Sequence, residues 1–306
     1  MNRMNRRSFI TKSSMMLAAL PLTRKHDLLG SLSKKGMPIG FQTWVVRDML
    51  AKDLTGTLKT MAGMGYRQLE MCYPEGYKDF GFGPLAAMPT SDLKSAIVGA
   101  GLTCPSCHFG SGSLFDETKL NASIQFARDL GLSQMICSTF GLPDKATLDD
   151  YQAAAGKLNK AAEKIKAAGM QAGFHNHDFE FHKLDNQLIY DVLMKHFDPD
   201  LVKLQFQLEV INLGYKAADY FKKYPGRFIS AHLSDWTSEK KEVPIGQGII
   251  NWDEFFTTTK TAGIKNCFVE MSFDTLKSSA DYLKGRGKDF GFIGYVKSLE
   301  NQLLKR

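Results

Sequence analysis

The chain reads as a single α/β domain of (β/α)8 type, the closed parallel barrel known as the TIM barrel, and three observations predict it. A short apolar strand, a polar loop and an amphipathic helix recur over residues 36–306. Successive strand starts lie about 25–40 residues apart, the length of a strand plus its crossover helix. The apolar segments carry their polar and ionisable residues at their ends rather than in their middles, as expected where chemistry gathers at the carboxyl ends of barrel strands. The first segment ends Phe41-Gln42-Thr43-Trp44, without the Gly-rich phosphate loop that usually marks a doubly wound sheet, the main alternative.

The elements follow in order. A strand at 39–43 precedes a helical pattern at 53–62, a strand at 68–71 precedes one at 91–98, and a strand at 103–108 precedes one at 119–130. The strand at 134–138 leads into the clearest helix, 149–168, where Leu158, Ala161, Ala162, Ile165 and Ala168 repeat at helical spacing and Gly169 supplies the stop. Strands at 171–175 and 202–207 follow, then a helix at 217–224. A strand at 228–233 with a helix at 252–262, and a strand at 266–271 with a helix at 279–304, complete the set. In chain order the strand ends present Gln42 and Trp44; Glu70; His108; Ser138 and Thr139; His175 and His177; Gln207 and Glu209; His232 and Asp235; and Glu270.

A chain of 306 residues with 43% hydrophobic content suffices for one large domain. Its net charge of +7 is concentrated in residues 1–35, which hold eight basic residues against Asp27 alone. The remaining chain is close to neutral, which argues against a dedicated nucleic-acid binder. The five cysteines form no even framework. Cys104-Pro105-Ser106-Cys107 has redox-motif spacing but lies on a strand, not at a helix start where a thiol is activated, so buried small apolar residues are the expectation.

At the amino end, Asn5-Arg6-Arg7-Ser8-Phe9-Ile10-Thr11-Lys12, followed by small and apolar residues to Leu22, resembles a bacterial twin-arginine export signal. The resemblance implies an export signal and linker at 1–35, a catalytic domain at 36–306, and a periplasmic location. The apolar run is too short to span a bilayer.

The densest polar stretch is His175-Asn176-His177-Asp178-Phe179-Glu180, directly after the apolar Ala172-Gly173-Phe174. Two imidazoles, two carboxylates and an amide at a strand end are costly to bury unless paired, and a divalent metal ion or a polar substrate is the usual partner. Gln207, His232 and Glu270 occupy corresponding strand ends.

Ile39-Gly40-Phe41-Gln42-Thr43-Trp44, Gly173-Phe174-His175-Asn176-His177-Asp178-Phe179-Glu180-Phe181, Tyr224-Pro225-Gly226-Arg227-Phe228, His232-Leu233-Ser234-Asp235 and Phe268-Val269-Glu270 together resemble the sugar phosphate isomerase/epimerase family, from about Pro38 onward. That resemblance implies a xylose-isomerase-like barrel holding one divalent ion, Mn, Zn, Co or Mg, through a Glu, Asp, His and Glu set. His232 and Glu270 match the ligands of strands seven and eight. The strand-five ligand falls within the cluster: strand length points to His175, with His177 and Glu180 as alternatives. On strand six Gln207 stands in the Asp position, and Glu209, two residues on and on the same face of an ideal strand, is the other choice.

The chemistry implied is proton transfer next to a carbonyl of a small sugar, through an enediolate, with Glu270 and His177 or Glu180 as acid and base. Gln42, Trp44, Glu70, His108 and Asp235 are candidate substrate contacts. The same site would serve a lyase or dehydratase acting on a keto-sugar or 3-keto-glycoside. A non-catalytic carbohydrate-binding barrel is a further reading. A multi-zinc endonuclease on a related barrel needs more histidines than this chain's seven supply.

Overall fold

The computed structural model describes residues 38–286. The expected export signal, and the part of the expected helix 279–304 beyond residue 286, lie outside the described residues. Eight parallel strands close into a barrel: β1 Ile39–Gln42, β2 Gln68–Cys72, β3 Thr103–Gly110, β4 Gln134–Thr139, β5 Gln171–His175, β6 Val202–Gln207, β7 Phe228–Leu233 and β8 Asn266–Val269. Each pairs with the next, and β8 returns to β1 through Gly40 opposite Phe268. The principal helices follow the strands in turn: α1 Leu54–Met64, α2 Thr90–Gly99, α3 Glu117–Leu130, α4 Leu148–Ala167, α5 Ile189–His196, α6 Ala217–Lys223, α7 Trp252–Ala262 and α8 Leu276–Gly285.

Local chemistry sets the helix bounds. Asp53, Asp116 and Asn251 accept hydrogen bonds from the third residue on, capping α1, α3 and α7, and Thr147 with Asp150 forms a reciprocal capping box on α4. Gly263 ends α7 with φ +94°, a conformation costly for a residue with a side chain. The predicted apolar stripe of α4 is buried against the barrel at Leu158, Ala161, Ala162 and Ile165.

Alternation along the strands divides the residues between two environments. Phe41, Leu69, Met71, Cys107, Phe109, Phe174, Leu204 and Phe206 are buried in the apolar core. Inside the barrel, Gly40 and Gly173 leave the space that the Phe268 ring and the Ile136 side chain fill, because a Cβ at either glycine would collide with them. Above this apolar plug the interior turns polar.

The strand bounds depart from expectation by at most two residues, with β3 running on to Gly110 and β8 ending at Val269. Helix α5 was not expected. It follows a small antiparallel hairpin, Lys183–Leu184 with Gln187–Leu188, whose turn residues Asp185 and Asn186 adopt φ values of 47° and 61°. All five cysteines are free and buried, and burial raises each thiol above its ordinary range. No helix among the described residues is long and apolar enough to cross a membrane.

Candidate active site

The cluster after β5 separates into distinct roles because successive side chains leave the strand in different directions. His175, the last residue of β5, is buried, and its Nδ1 has no hydrogen-bond partner. Asn176 turns sideways, and its Oδ1 accepts from the backbone N–H of Gln207 at 3.2 Å, tying β5 to β6. His177 lines the cavity above the barrel, stacked on Phe179 with ring centroids 5.0 Å apart. Glu180 lies in the 3-10 turn Phe179–Phe181, and its Oε2 accepts the His177 backbone N–H at 2.8 Å. It is 1% exposed with Oε1 unpartnered, and burial pushes its carboxyl up to about 8.

A polar floor lies beneath the mouth, with Glu70 at its centre. Its Oε1 accepts from Ser106 Oγ at 2.5 Å and from Gln205 Nε2 at 2.8 Å. Its Oε2 accepts from Gln42 Nε2 at 2.8 Å and faces His232 Nε2 at 2.5 Å and His108 Nε2 at 3.1 Å. Strand register explains the convergence, since Gln42, Glu70 and Ser106 are direct neighbours across β1, β2 and β3. Burial alone would raise the Glu70 carboxyl, but His108, His232 and the hydrogen bonds outweigh it and hold it near 2.

His232 links floor to mouth. It is fully buried, and its Nδ1 lies 2.8 Å from Glu270 Oε2, so each ring nitrogen faces a carboxylate. Burial disfavours the charged ring, yet Glu270 and Glu70 outweigh it and raise His232 to about 10, which makes it an imidazolium at neutral pH. The same ring, opposing burial, lowers the Glu270 carboxyl, and Gln207 Nε2 donates to Glu270 Oε2 at 2.8 Å. Gln207 Oε1 is buried without a partner. His108 and His175 are both lowered, chiefly by burial, and His177 is lowered to about 4 for the same reason, so all three are neutral imidazoles at pH 7.

These groups surround a cavity of about 630 Å³ at the carboxyl ends of the strands. Trp44, Arg47, Tyr77, Ser138 and Thr139 line it together with His177, Gln207, Glu209, Glu242 and Glu270. One nitrogen from each of His108, His175 and His232 lies within 4.8 Å of the others. An orphaned imidazole nitrogen and amide oxygen each cost roughly 1–3 kcal/mol when buried. Beside an ionised carboxylate and a second imidazole, these donors suit a divalent cation. Such a cation would take the place of the proton on the cavity side of His232.

The structure therefore brings Trp44, His108, His175, His177, Gln207, Glu209 and Glu270 to the cavity, with His232 directly beneath. Four expected residues lie elsewhere. Gln42 and Glu70 sit in the floor, fully hydrogen-bonded below the substrate space. Glu180 stands behind His177 and does not line the cavity. Asp235 folds a loop instead: its carboxylate accepts from the backbone N–H groups of Gly246, Gly248 and Ile250 and from Trp252 Nε1 at 2.8–3.3 Å.

Gln205, Ser106, Tyr77, Arg47 and Glu242 belong to the floor or the cavity wall without having been singled out. Gln205 and Ser106 stand two residues before Gln207 and His108, and the two-residue strand period would have found them. Tyr77 reaches Ser138 Oγ at 2.5 Å from a 3-10 segment that carries no motif.

A family model described as xylose isomerase-like TIM barrel matches residues 58–286. A solved sugar phosphate isomerase/epimerase from Parabacteroides distasonis is 26% identical over 82% of this chain and 95% of its own, with a TM-score of 0.68. The probable 3-DHS dehydratase of petrobactin synthesis from Bacillus anthracis is 13% identical over 82% of this chain and all of its own, 100%, with a TM-score of 0.60. An L-ribulose 3-epimerase is 16% identical over 82% of this chain and 94% of its own, with a TM-score of 0.57. The last two likenesses concern the fold alone. No curated protein matches the chain significantly.

Proposed function

The chain belongs to the xylose isomerase-like TIM barrel family, and on that premise we propose that it is a metal-dependent enzyme that moves a proton next to the carbonyl of a sugar or keto-sugar, as an isomerase or epimerase. The observation that carries this reading is the pairing of partnerless donors, His175 Nδ1 and Gln207 Oε1, with the Glu270–His232 pair at the cavity. His175, Gln207, His232 and Glu270 would hold the ion, with Glu209 at the rim as the alternative to Gln207. When bound, the ion supplies the Lewis acidity that polarises a carbonyl.

The chain's own residues supply the rest. His232 keeps Glu270 ionised in the free site and a bound ion would do so in its place, while Gln207 Nε2 holds its Oε2. That leaves Oε1 to accept the proton from the carbon next to the carbonyl. His177, a neutral imidazole with Nδ1 unpartnered, is the second acid/base group: it would take the proton of the neighbouring hydroxyl and hand it to the carbonyl oxygen, while Glu270 returns its own proton to the adjacent carbon. Its backbone is held by Glu180 and its ring by Phe179. Trp44 and Trp236 give the cavity apolar surface against which a sugar ring can pack.

Among the described residues lining the cavity, Arg47 is the one basic side chain, and its guanidinium is stacked on Trp44 at 4.3 Å. Glu209 and Glu242 face the same space. This balance supports an unphosphorylated substrate, and with the twin-arginine-like leader it supports work in the periplasm.

A second reading keeps the site and changes the outcome: the deprotonated intermediate expels a β-substituent, making the enzyme a lyase on a keto-sugar or 3-keto-glycoside. The cavity of about 630 Å³ and the 58% exposed Phe80, packed against the cavity-lining Trp44, favour this reading, since they leave room and an apolar contact for a group beyond a single sugar ring. Metal analysis of the purified protein, of His232→Ala and of Glu270→Gln tests the ion site. A bound divalent ion lost in both variants is expected, and unchanged metal content would contradict it.

A further inference from the structure

His108 comes from β3, outside the strand-five to strand-eight set that the resemblance implies. Yet it joins His175 and His232 in one group of imidazoles, with ring centroids 4.5–5.1 Å apart. The floor fixes its tautomer. Gln205 Nε2 donates to Glu70 Oε1 at 2.8 Å and to Ser230 Oγ at 2.9 Å, so the amide oxygen is the atom 2.6 Å from His108 Nε2. A carbonyl oxygen can only accept, so His108 carries its proton on Nε2 and keeps Nδ1 unprotonated. Glu70 holds Nε2 of His232 at 2.5 Å, so the proton that an ion would displace there is the one on Nδ1. Each of these rings is thus oriented by a partner on its far nitrogen, the arrangement that orients and strengthens imidazole ligands of metals. His175 needs no such device, because its Nδ1 is already free of partners.

We propose that His108 is an additional ligand, and that the site is nitrogen-rich and built for a zinc-like or cobalt-like ion rather than for magnesium or manganese, with Glu70 and Gln205 setting the ligand tautomers. The inference rests on the ion-site reading above. The donors are three imidazoles, one amide oxygen and one carboxylate, where the resemblance implies three carboxylates and one imidazole. Imidazole nitrogen suits zinc, cobalt and their neighbours, whereas magnesium and manganese depend on charged oxygen. With His175 and Gln207 in place of carboxylates, two of those charges are missing.

The test uses the full-length chain stripped of metal and titrated separately with Zn²⁺, Co²⁺, Mn²⁺ and Mg²⁺ in competition with a chromophoric chelator. Any site of nitrogen and oxygen donors ranks zinc above manganese, so the decisive quantity is how the ratio of their affinities changes between variants. His175→Glu is expected to lower the zinc-to-manganese ratio by about tenfold or more, and His108→Asn to lower zinc affinity and alter the visible spectrum of the cobalt adduct. Glu70→Gln should weaken zinc by about 10–100-fold while the ligands remain. Circular dichroism and thermal unfolding establish that each variant is folded, and His108→Gln serves as a second replacement if the first is not. An unchanged ratio in His175→Glu together with an unchanged cobalt spectrum in the His108 variants overturns this proposal and leaves the ion site standing. Failure of the wild-type chain to bind any of the four ions overturns both.

Discussion

The two halves of the barrel use polar strand-end residues in opposite ways. Apart from His108, which lines the cavity, strands β1–β3 contribute Gln42, Glu70 and Ser106, all buried and bonded to one another or to residues across the barrel. Strands β5, β6 and β8 contribute His175 and Gln207, with Glu270 directly after β8, and these keep donor atoms free or face the cavity. The difference is one of depth. Glu70 lies two residues before the end of β2, where Cys72 lines the cavity, whereas His175 and Gln207 are the terminal residues of their strands. A carboxylate one layer down fixes the charge and orientation of the histidine above it, and one at the mouth is available to substrate. The comparison teaches that the first half supports the second.

If so, substitutions at the mouth are read in catalysis and those in the floor in stability. The largest effect falls on Glu270→Gln, which retains the shape and loses the base: turnover should drop by about 10²–10⁴-fold. Next is Glu70→Ala, which strips the buried His232 ring of one of its two carboxylates. Removing one partner of a buried ion pair costs about 3–5 kcal/mol, measurable by urea unfolding, and a variant as stable as wild type would break the comparison.

Asp235→Asn is smaller. Hydrogen bonds to a charged acceptor contribute roughly 1.5–3 kcal/mol, so stability should fall by about that much while the pH profile of turnover stays put. The smallest effect is a slope. Glu180 rises from the ordinary 4.5 to about 8 because it is buried, so the folded state binds a proton that the unfolded chain releases. Its contribution is fully present below about pH 4.5 and is lost as pH rises through about 8. Comparing urea unfolding of wild type and Glu180→Gln across that window should show a decline that the variant lacks, and parallel curves would sharpen the assignment away from Glu180.

Most of the fold was legible in the sequence because parallel barrel strands are continuous apolar runs bounded by helix caps and glycines. Helix α5 escaped because its approach runs through a hairpin whose Asp185-Asn186 turn interrupts the apolar pattern. The site was legible as a ring of strand-end residues, but not in depth. Nothing in a one-dimensional pattern distinguishes Glu70 from Glu270, since both end apolar runs; the stagger of neighbouring strands sinks one and raises the other. Asp235 and Glu180 were misplaced for a related reason. Each follows its strand by a few residues, where the chain has already turned and a carboxylate meets backbone N–H groups of its own loop.

The central claim, that this mouth moves a proton next to a carbonyl, is tested most directly by solvent exchange. Candidate keto-sugars are incubated in deuterium oxide with the metal-loaded chain, with the chelated chain and with Glu270→Gln, and deuterium at carbon is followed by NMR. The account predicts incorporation next to the carbonyl with the loaded wild-type chain, and loss of it on chelation or in Glu270→Gln. Exchange that survives both changes, or no exchange with any sugar of a broad panel, would contradict it.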